Sequence, residues 1–423
     1  MQYFFQYWLL CSNYFKMIEK YYFLAESVYC ERYIIATFVM EALELIHVIM
    51  LKIFFIILFN FLSQVFPAEE PANNDAVSRS RLHKNPLNIR MGDPFILYND
   101  TDDTFYMYGT TDPEKGFRAY ASKNLTEWKD LGMVYEKSAL SWGKDCFWAP
   151  EVYVFDNKFY MFYSANWKHN PLGKEEVFRI GVAVSDSPRG PFQDLHDNPV
   201  FDPGYPIIDA NVFKDEDGQF YLYYSRCCYE HPVESELSRR MRASGYYFEI
   251  EESWIYGVRL KPDFSGTEGE PTLILTPPAE MADKQTIWES QSVLSMEANR
   301  RWTEGSFIIK ENGKYFIMYS ANFFGGQHYS VGYAVSDNPL GPFVKSPDNP
   351  ILQKNNKNNE HAVSGTGHCM ALRLKNGKMV CVYHARTPDT GDARVVFIDP
   401  MEITDDGKII VYGPNTLYQN ILD

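Results

Sequence analysis

The chain has 423 residues, of which 45% are hydrophobic and 22% charged, so it is long enough for one large domain or two ordinary ones. Its 55 acidic and 40 basic residues give a net charge of −15, which argues against a nucleic-acid-binding surface and suits a neutral or cationic ligand. Aromatic residues make up 16% of the chain, which is typical of a β-rich core, a sugar-stacking site, or both.

The first 68 residues are predicted to lie outside the folded domain. An apolar run from Ile53 to Leu62 follows Lys52 and precedes a small residue and acidic sequence, which is the pattern of a secretory signal peptide. We therefore expect translation to begin at Met50, with residues 1–49 upstream of the start. The protein is then expected to be secreted or periplasmic.

A membrane anchor is the alternative interpretation of the same region. It would extend across about residues 34–66, where Glu41, Glu44 and Lys52 interrupt the apolar sequence. Because each of these charges is costly at the centre of a bilayer, the signal peptide is favoured, and no stable membrane span is expected after processing.

A short aromatic strand recurs five times along the rest of the chain. Each copy follows a polar turn and an earlier apolar strand, and this pattern predicts antiparallel hairpins. The copies are Phe105–Gly109, Phe159–Tyr163, Phe220–Tyr224, Tyr315–Tyr319 and Met379–Tyr383.

The repeat predicts an all-β fold, a five-bladed β-propeller over residues 86–423 preceded by a linker at residues 69–85. A pair of β-sandwiches is the alternative, but sandwiches rarely repeat one strand–turn–strand unit five times. The long interval between the third and fourth copies predicts an insertion at about residues 227–254. Within it, Ser235–Ala243 has a helical pattern.

One residue in each repeat is expected to face the central channel. Counting back eleven residues from each aromatic strand, or twelve in the first repeat because of its longer turn, gives Asp93, Trp148, Asp209, Glu304 and His368. Grouped carboxylates repel and separate one another's pKa values, so one pocket can hold an acid and a base at the same pH. A pair of carboxylates flanking the bond is the minimum equipment for hydrolysing a glycoside.

The two remaining channel residues have both a structural and a functional interpretation. Trp148 offers an apolar face to a sugar ring, but it is also a candidate core residue. A lone histidine on an apolar strand is usually a core residue, yet His368 shares the register of the carboxylates. We therefore include both among the candidate substrate-binding residues.

The chain resembles glycoside hydrolase family 43, the inverting five-bladed propellers that include arabinofuranosidases, xylosidases and arabinanases. The resemblance covers about residues 86–413. The motifs that carry it are Gly92-Asp93-Pro94, Trp148-Ala149-Pro150-Glu151, Ile208-Asp209-Ala210, Glu304-Gly305 and Gly365-Thr366-Gly367-His368.

The resemblance implies roles for individual residues. Asp93 is implied to be the general base, Glu304 the general acid, and Asp209 the carboxylate that orients the acid and raises its pKa. His368 resembles a channel histidine near which some members hold a hydrated calcium ion, although no cofactor is expected to be required. Histidine is a poor direct calcium ligand, so such an ion is expected to be held through water. Arg386 is implied as a sugar contact.

We expect an enzyme that acts on plant cell-wall pentose glycans such as arabinan, arabinoxylan or their oligosaccharides. An exo α-L-arabinofuranosidase is favoured because the insertion is expected to close one side of the pocket. A β-xylosidase and an endo-1,5-α-arabinanase are the alternatives within the family. A sugar-binding propeller lectin is the non-enzymatic alternative, but binding alone needs no acid–base pair. Retaining enzymes that cleave fructosides carry different motifs and are discounted.

Overall fold

The fold is all-β, and antiparallel strands follow one another in chain order through most of it. A computed structural model describes residues 82–227, 235–357 and 361–422. The strands of the described residues are β1 (Gly92–Asn99), β2 (Thr104–Thr110), β3 (Gly116–Ser122), β4 (Lys129–Glu136), β5 (Trp148–Phe155), β6 (Lys158–Asn166), β7 (Phe178–Ser185), β8 (Gln193–Asp194), β9 (Ile207–Lys214), β10 (Phe220–Cys227), β11 (Glu251–Leu260), β12 (Thr267–Leu275), β13 (Arg300–Glu311), β14 (Lys314–Ala321), β15 (Ser330–Ser336), β16 (Val344–Lys345), β17 (Ser364–Arg373), β18 (Met379–Arg386), β19 (Val395–Ile403) and β20 (Ile409–Val411).

The predicted signal peptide, the alternative membrane anchor and most of the predicted linker lie outside the described residues. Within the ranges that are described, no helix is long and apolar enough to cross a membrane.

The strands form five antiparallel groups of four, which we call repeats 1 to 5: β1–β4, β5–β8, β9–β12, β13–β16 and β17–β20. Turn chemistry sets the first hairpin of each repeat. In repeat 4, Asn312 and Gly313 both have positive φ angles, 51° and 74°, as a two-residue type I′ hairpin turn requires. The aromatic second strands are largely buried, so most of their rings lie in the core.

Repeats 3 and 4 are joined into one eight-stranded sheet. The start of β11 pairs in parallel with the start of β13, from Glu251 opposite Arg300 to Ser253 opposite Trp302. This link lies at the end of the predicted insertion, which contains helix α1 (Glu236–Ala243) with Ser235 as its N-cap. The helix agrees with the helical pattern at Ser235–Ala243. Strand β11 begins at Glu251, three residues before the end predicted for the insertion.

The first strands of the repeats are neighbours in cyclic order. Strand β1 contacts β5, β5 contacts β9, β9 contacts β13, β13 contacts β17, and β17 contacts β1 again. Residues at the starts of these strands are far apart in the chain, yet this order places them on neighbouring elements. The candidate site is built there.

Candidate active site

Each first strand carries a β-bulge near its start, where the pairing with the second strand shifts. The bulged residue has a positive φ in every repeat: 53° at Asp93, 44° at Ala149, 60° at Asp209, 57° at Gly305 and 48° at His368. Positive φ is costly for a residue other than glycine, and bulges re-aim side chains next to active sites. The strained position therefore identifies one structurally equivalent residue in each repeat.

The bulges correct the predicted register by one residue in two repeats. Trp148 and Glu304 are not equivalent to Asp93, because each lies one position before the bulged residue. The hairpin turns of repeats 2 and 4 have two residues, whereas those of repeats 1, 3 and 5 are longer. Counting eleven residues back from the aromatic strand therefore goes one residue too far in repeats 2 and 4. The charges of Asp209 and Asp93 nevertheless act on Glu304, so Glu304 belongs with Asp93, Asp209 and His368 to one group, which we call the carboxylate cluster.

Asp93 is buried and surrounded by cationic and hydroxyl groups. Its Oδ1 lies 2.7 Å from Arg394 Nη1 and 3.2 Å from His368 Nδ1, and its Oδ2 accepts a 2.6 Å hydrogen bond from Thr110 Oγ1. Burial by itself would raise the pKa of Asp93. The charge of Arg394 opposes burial, and His368, His384 and Thr110 add to that effect, so the pKa lies well below its usual value. Asp93 is therefore held as a carboxylate.

Asp209 is held by donors from repeats 3 and 4. Its Oδ2 accepts hydrogen bonds from Ser225 Oγ at 3.1 Å and from the Gly305 N–H at 3.3 Å. Burial raises the pKa of Asp209 above its usual value and the charge of Asp93 adds to the increase, while His368 partly offsets it. The electrostatic interactions connect Asp209 with the group around Asp93.

Glu304 is almost fully buried, and Tyr329 Oη donates a 2.9 Å hydrogen bond to its Oε1. Burial raises the pKa of Glu304 well above its usual value, and the neighbouring charges of Asp209 and Asp93 raise it further. The cluster thus contains one carboxyl group whose pKa is lowered, Asp93, and one whose pKa is raised, Glu304, so Glu304 keeps its proton to a higher pH than Asp93 does. This division is the arrangement that acid–base catalysis requires.

Three residues of the cluster were not predicted from the sequence: His384, Tyr329 and Arg394. His384 lies five residues after the first residue of its aromatic strand, the position that Thr110 occupies in repeat 1, so the same counting would have found it. Tyr329 and Arg394 each lie directly before the third strand of their repeat. Their shared position, directly before a third strand, is the sequence feature from which they could have been predicted.

The two candidate channel residues differ in their surroundings. His368 joins the cluster, because its Nδ1 lies 3.2 Å from Asp93 and its charge acts on Asp209. Trp148 is half-buried and packs on Phe178, with ring centroids 4.9 Å apart, beside the buried side chain of Ile208. The contacts of Trp148 are thus with aromatic and apolar residues next to the carboxylate cluster.

Arg386 binds backbone rather than a carboxylate. Its Nη1 donates to the Phe324 carbonyl at 2.9 Å, and its Nε donates to the Asp392 carbonyl at 3.0 Å. It lines a polar cavity of about 660 Å³ beside the loop that contains Gly325 and Gly326. Phe324 connects this cavity to the cluster, because the guanidinium of Arg394 lies 5.2 Å from its ring centre.

The residues around His368 do not provide a direct calcium site. Within the described ranges there is no group of three or more His, Cys, Asp or Glu side chains arranged to hold a metal ion. The oxygen of Asp93 that faces His368 also pairs with Arg394 at 2.7 Å, which opposes binding of a second cation there. A hydrated calcium stays a prediction, and no catalytic step below passes through it.

The chain is similar to known glycoside hydrolases in sequence and in structure. A xylosidase/arabinosidase from Bacteroides ovatus is 29% identical over 322 residues, which are 74% of this chain and 86% of that protein. Xylosidase/arabinosidase 43A from Humicola insolens is 29% identical and covers 67% of this chain and 80% of its own length. The crystal structure of a thermostable family-43 glycoside hydrolase matches with a TM-score of 0.67 at 34% identity, covering 80% of this chain and 98% of that one.

The profile of the glycosyl hydrolases of family 43 matches residues 83–409, which include every residue of the carboxylate cluster. The family resemblance drawn from the sequence motifs is therefore confirmed. The match extends from just before β1 to the start of β20, so it covers all five repeats. The chain belongs to glycosyl hydrolases family 43 and is a glycoside hydrolase.

Proposed function

We propose that the protein is an inverting, exo-acting α-L-arabinofuranosidase of plant cell-wall pentose glycans. The observation that carries the proposal is the opposite direction of two pKa shifts in one cluster: the pKa of Asp93 is lowered and that of Glu304 is raised. An inverting hydrolase needs an ionised carboxylate to activate water and a protonated carboxylic acid to protonate the leaving oxygen, both at the same pH.

The proposed reaction assigns one step to each carboxyl group. Asp93 removes a proton from a water molecule as the water oxygen bonds to the anomeric carbon. The bond from that carbon to the leaving oxygen breaks, and Glu304 gives its proton to that oxygen. Asp209 supports the acid, because its negative charge raises the pKa of Glu304 and its Oδ2 binds the backbone next to Glu304.

We propose the five-bladed β-propeller as the architecture, with one repeat in each blade. It is supported by five successive four-stranded antiparallel groups and by the cyclic order of contacts among their first strands. The parallel pairing of β11 with β13 then joins blades 3 and 4. In this architecture the bulged residues lie around the entrance of one channel.

Exo-action is supported by the position of the insertion. Helix α1 packs through Leu237 and Met241 against Val293 of the short helix α2 (Gln291–Leu294). The insertion is also tied to β13 by a buried ion pair in which Arg301 Nη1 lies 2.6 Å from Glu252 Oε1. Because Arg301 precedes Glu304 by three residues, we propose that the insertion closes the pocket on the side of the acid.

A β-xylosidase is the second candidate function. It is favoured by the relatives from Bacteroides ovatus and Humicola insolens, both named xylosidase/arabinosidase. In either case we propose that Trp148, His368 and Arg386 contact the sugar or its leaving group. The polar cavity beside Arg386 supports this assignment, because it adjoins the cluster through Phe324.

The substrate is tested with aryl α-L-arabinofuranoside, aryl β-xyloside and linear arabinan, with the products followed over time. We expect arabinose to be released from the aryl arabinofuranoside and single sugars to be the first products from arabinan. Early oligosaccharides would indicate an endo-arabinanase, and preferred cleavage of the xyloside would favour the second candidate. Proton NMR should detect the inverted anomer first. Binding of the two aryl glycosides and of arabinan without cleavage would favour a lectin and contradict the proposal.

Replacing Arg394 by Gln is expected to move the acidic limb of the kcat/KM profile to higher pH by about 1–3 pH units. The cation keeps the pKa of Asp93 low; without it, burial raises that pKa, and Asp93 gains its proton at a higher pH. Activity is then lost earlier as the pH falls. Arg118→Gln is the control, because Arg118 pairs with Asp130 on the surface. An acidic limb at the wild-type position would contradict the role of Arg394.

A further inference from the structure

The second strand of each repeat carries a polar residue directly beside the bulge of its first strand. These residues are Thr110, Ser164, Ser225, Ser320 and His384, and each lies opposite the residue that precedes a bulged residue. We call the five residues the inter-repeat belt. Four of the five have a hydroxyl group, which can donate one hydrogen bond and accept another at the same time.

The belt connects each repeat to the next. The N–H of Ala149 donates to Thr110 at 2.9 Å, and that of Asp209 donates to Ser164 at 2.9 Å. The N–H of His368 donates to Ser320 at 2.7 Å.

The remaining two links complete the circle. The Asp93 N–H donates to His384 Nδ1 at 3.1 Å, which joins repeat 1 to repeat 5. Between repeats 3 and 4 the Gly305 N–H bonds to Asp209 Oδ2, the same oxygen that accepts from Ser225. The bulged residue of every repeat is therefore fixed by a side chain of the preceding one.

Two of these hydroxyl groups also bind a carboxyl group. Thr110 donates to Asp93 at 2.6 Å, and Ser225 donates to Asp209 at 3.1 Å. Asp93 is thus linked through Thr110 to the Ala149 N–H of repeat 2, and Asp209 binds the Gly305 N–H of repeat 4 directly.

We propose that hydroxyl groups of the inter-repeat belt are positioning residues for catalysis, and that Thr110 and Ser225 set the geometry of Asp93 and Asp209 respectively. This inference rests on the catalytic roles in the proposed function. Thr110 holds a backbone N–H of repeat 2 and the carboxyl group of repeat 1, and Ser225 binds the same Asp209 oxygen that accepts the Gly305 N–H of repeat 4. The position of each of these two carboxyl groups therefore depends on how its repeat meets the next, although the groups come from different parts of the chain.

The test replaces Thr110 by Val, which keeps the shape of the side chain but removes both hydrogen bonds. We expect kcat/KM on a cleaved aryl glycoside to fall about 10- to 100-fold. Thr110 lowers the pKa of Asp93, so the acidic limb of the pH profile should also move to higher pH. Arg394, His368 and His384 still face Asp93 in this variant. Thr110→Ser should recover most of the activity and the wild-type pH limb.

Thr104→Val is the matched control. Thr104 is buried at the opposite end of the same strand, and its hydroxyl donates to the Asp102 carbonyl at 2.9 Å. We expect this variant to keep wild-type kcat/KM and pH dependence. If Thr110→Val does not fold, Ser225→Ala applies the same test to Asp209, with an expected fall of kcat of about 10-fold.

The outcomes separate this inference from the proposed function. If Asp93→Asn keeps wild-type activity, the proposed catalytic roles are wrong and the inference fails with them. If Asp93→Asn loses activity but a folded Thr110→Val, or its substitute Ser225→Ala, matches the wild type in rate and pH profile, only the inference is overturned. A loss in Thr110→Val that Thr110→Ser does not restore would also contradict it, because a hydroxyl at that position would then not be sufficient.

Discussion

Asp93→Asn and Glu304→Gln are each expected to lower kcat about 10²- to 10⁴-fold, the range that general acid or base catalysis supplies. Asparagine keeps the shape of Asp93 but cannot accept a proton from water. Glutamine keeps the shape of Glu304 but has no acidic proton for the leaving oxygen. Initial rates on an aryl α-L-arabinofuranoside, compared with the wild type at several pH values, measure both losses.

The leaving group distinguishes the two roles. An acidic phenol needs little protonation as it leaves, so Glu304→Gln should keep more of its activity on such a substrate than on an oligosaccharide, whereas Asp93→Asn should lose activity on both. Asp102→Asn is the matched control, since Asp102 lies in the turn at the other end of the hairpin in repeat 1. Equal losses of Glu304→Gln on both substrates would contradict its role as the acid.

Arg301→Met is expected to lower the free energy of unfolding by about 3–5 kcal/mol. The guanidinium of Arg301 and the carboxylate of Glu252 are both almost fully buried, and Nη1 of Arg301 also donates to Ser238 of helix α1 at 2.9 Å. Removing the cation would leave the Glu252 carboxylate buried without its ionic partner. Equilibrium urea unfolding of the wild type and the variant measures the difference.

Arg240→Met is the control for this experiment. Arg240 lies on helix α1 and pairs with Glu236, but both side chains are largely exposed, so we expect a change within about 0.5 kcal/mol. The double variant Arg301→Met/Glu252→Leu should recover part of the loss, because it also removes the unpaired charge. A loss below about 1 kcal/mol for Arg301→Met would show that the buried pair contributes little to stability.

The repeated strands were predictable because they depend on local chemistry. A turn such as Asn312-Gly313 and the aromatic strand after it are adjacent in the chain, and each copy shows the same pattern. The all-β fold was predicted on this basis, the helix of the insertion was predicted from its own helical pattern, and both are observed. Asp93, Asp209, Glu304 and His368 were predicted as neighbours, and the structure connects them through hydrogen bonds and electrostatic interactions.

The exact register was predicted less well. Two-residue turns and longer turns are both polar segments in the sequence, so their lengths were not told apart. In repeats 2 and 4 the turn has two residues and the bulged residue lies one position closer to the aromatic strand, so the count selected Trp148 and Glu304 in place of Ala149 and Gly305. The bulges depend on pairing between two strands, and a count along one strand cannot show where that pairing shifts.

The sequence by itself determined the repeated β-strands, the three carboxyl groups at their starts and the family, because these features depend on residue types at regular spacings. Only the tertiary structure decided which groups surround each carboxyl. Arg394 reaches Asp93 across 301 positions of the chain, and Tyr329 reaches Glu304 from the position directly before β15. A pKa depends on burial and on distances between charges, so the opposite pKa shifts of Asp93 and Glu304 depend on the folded arrangement of the repeats.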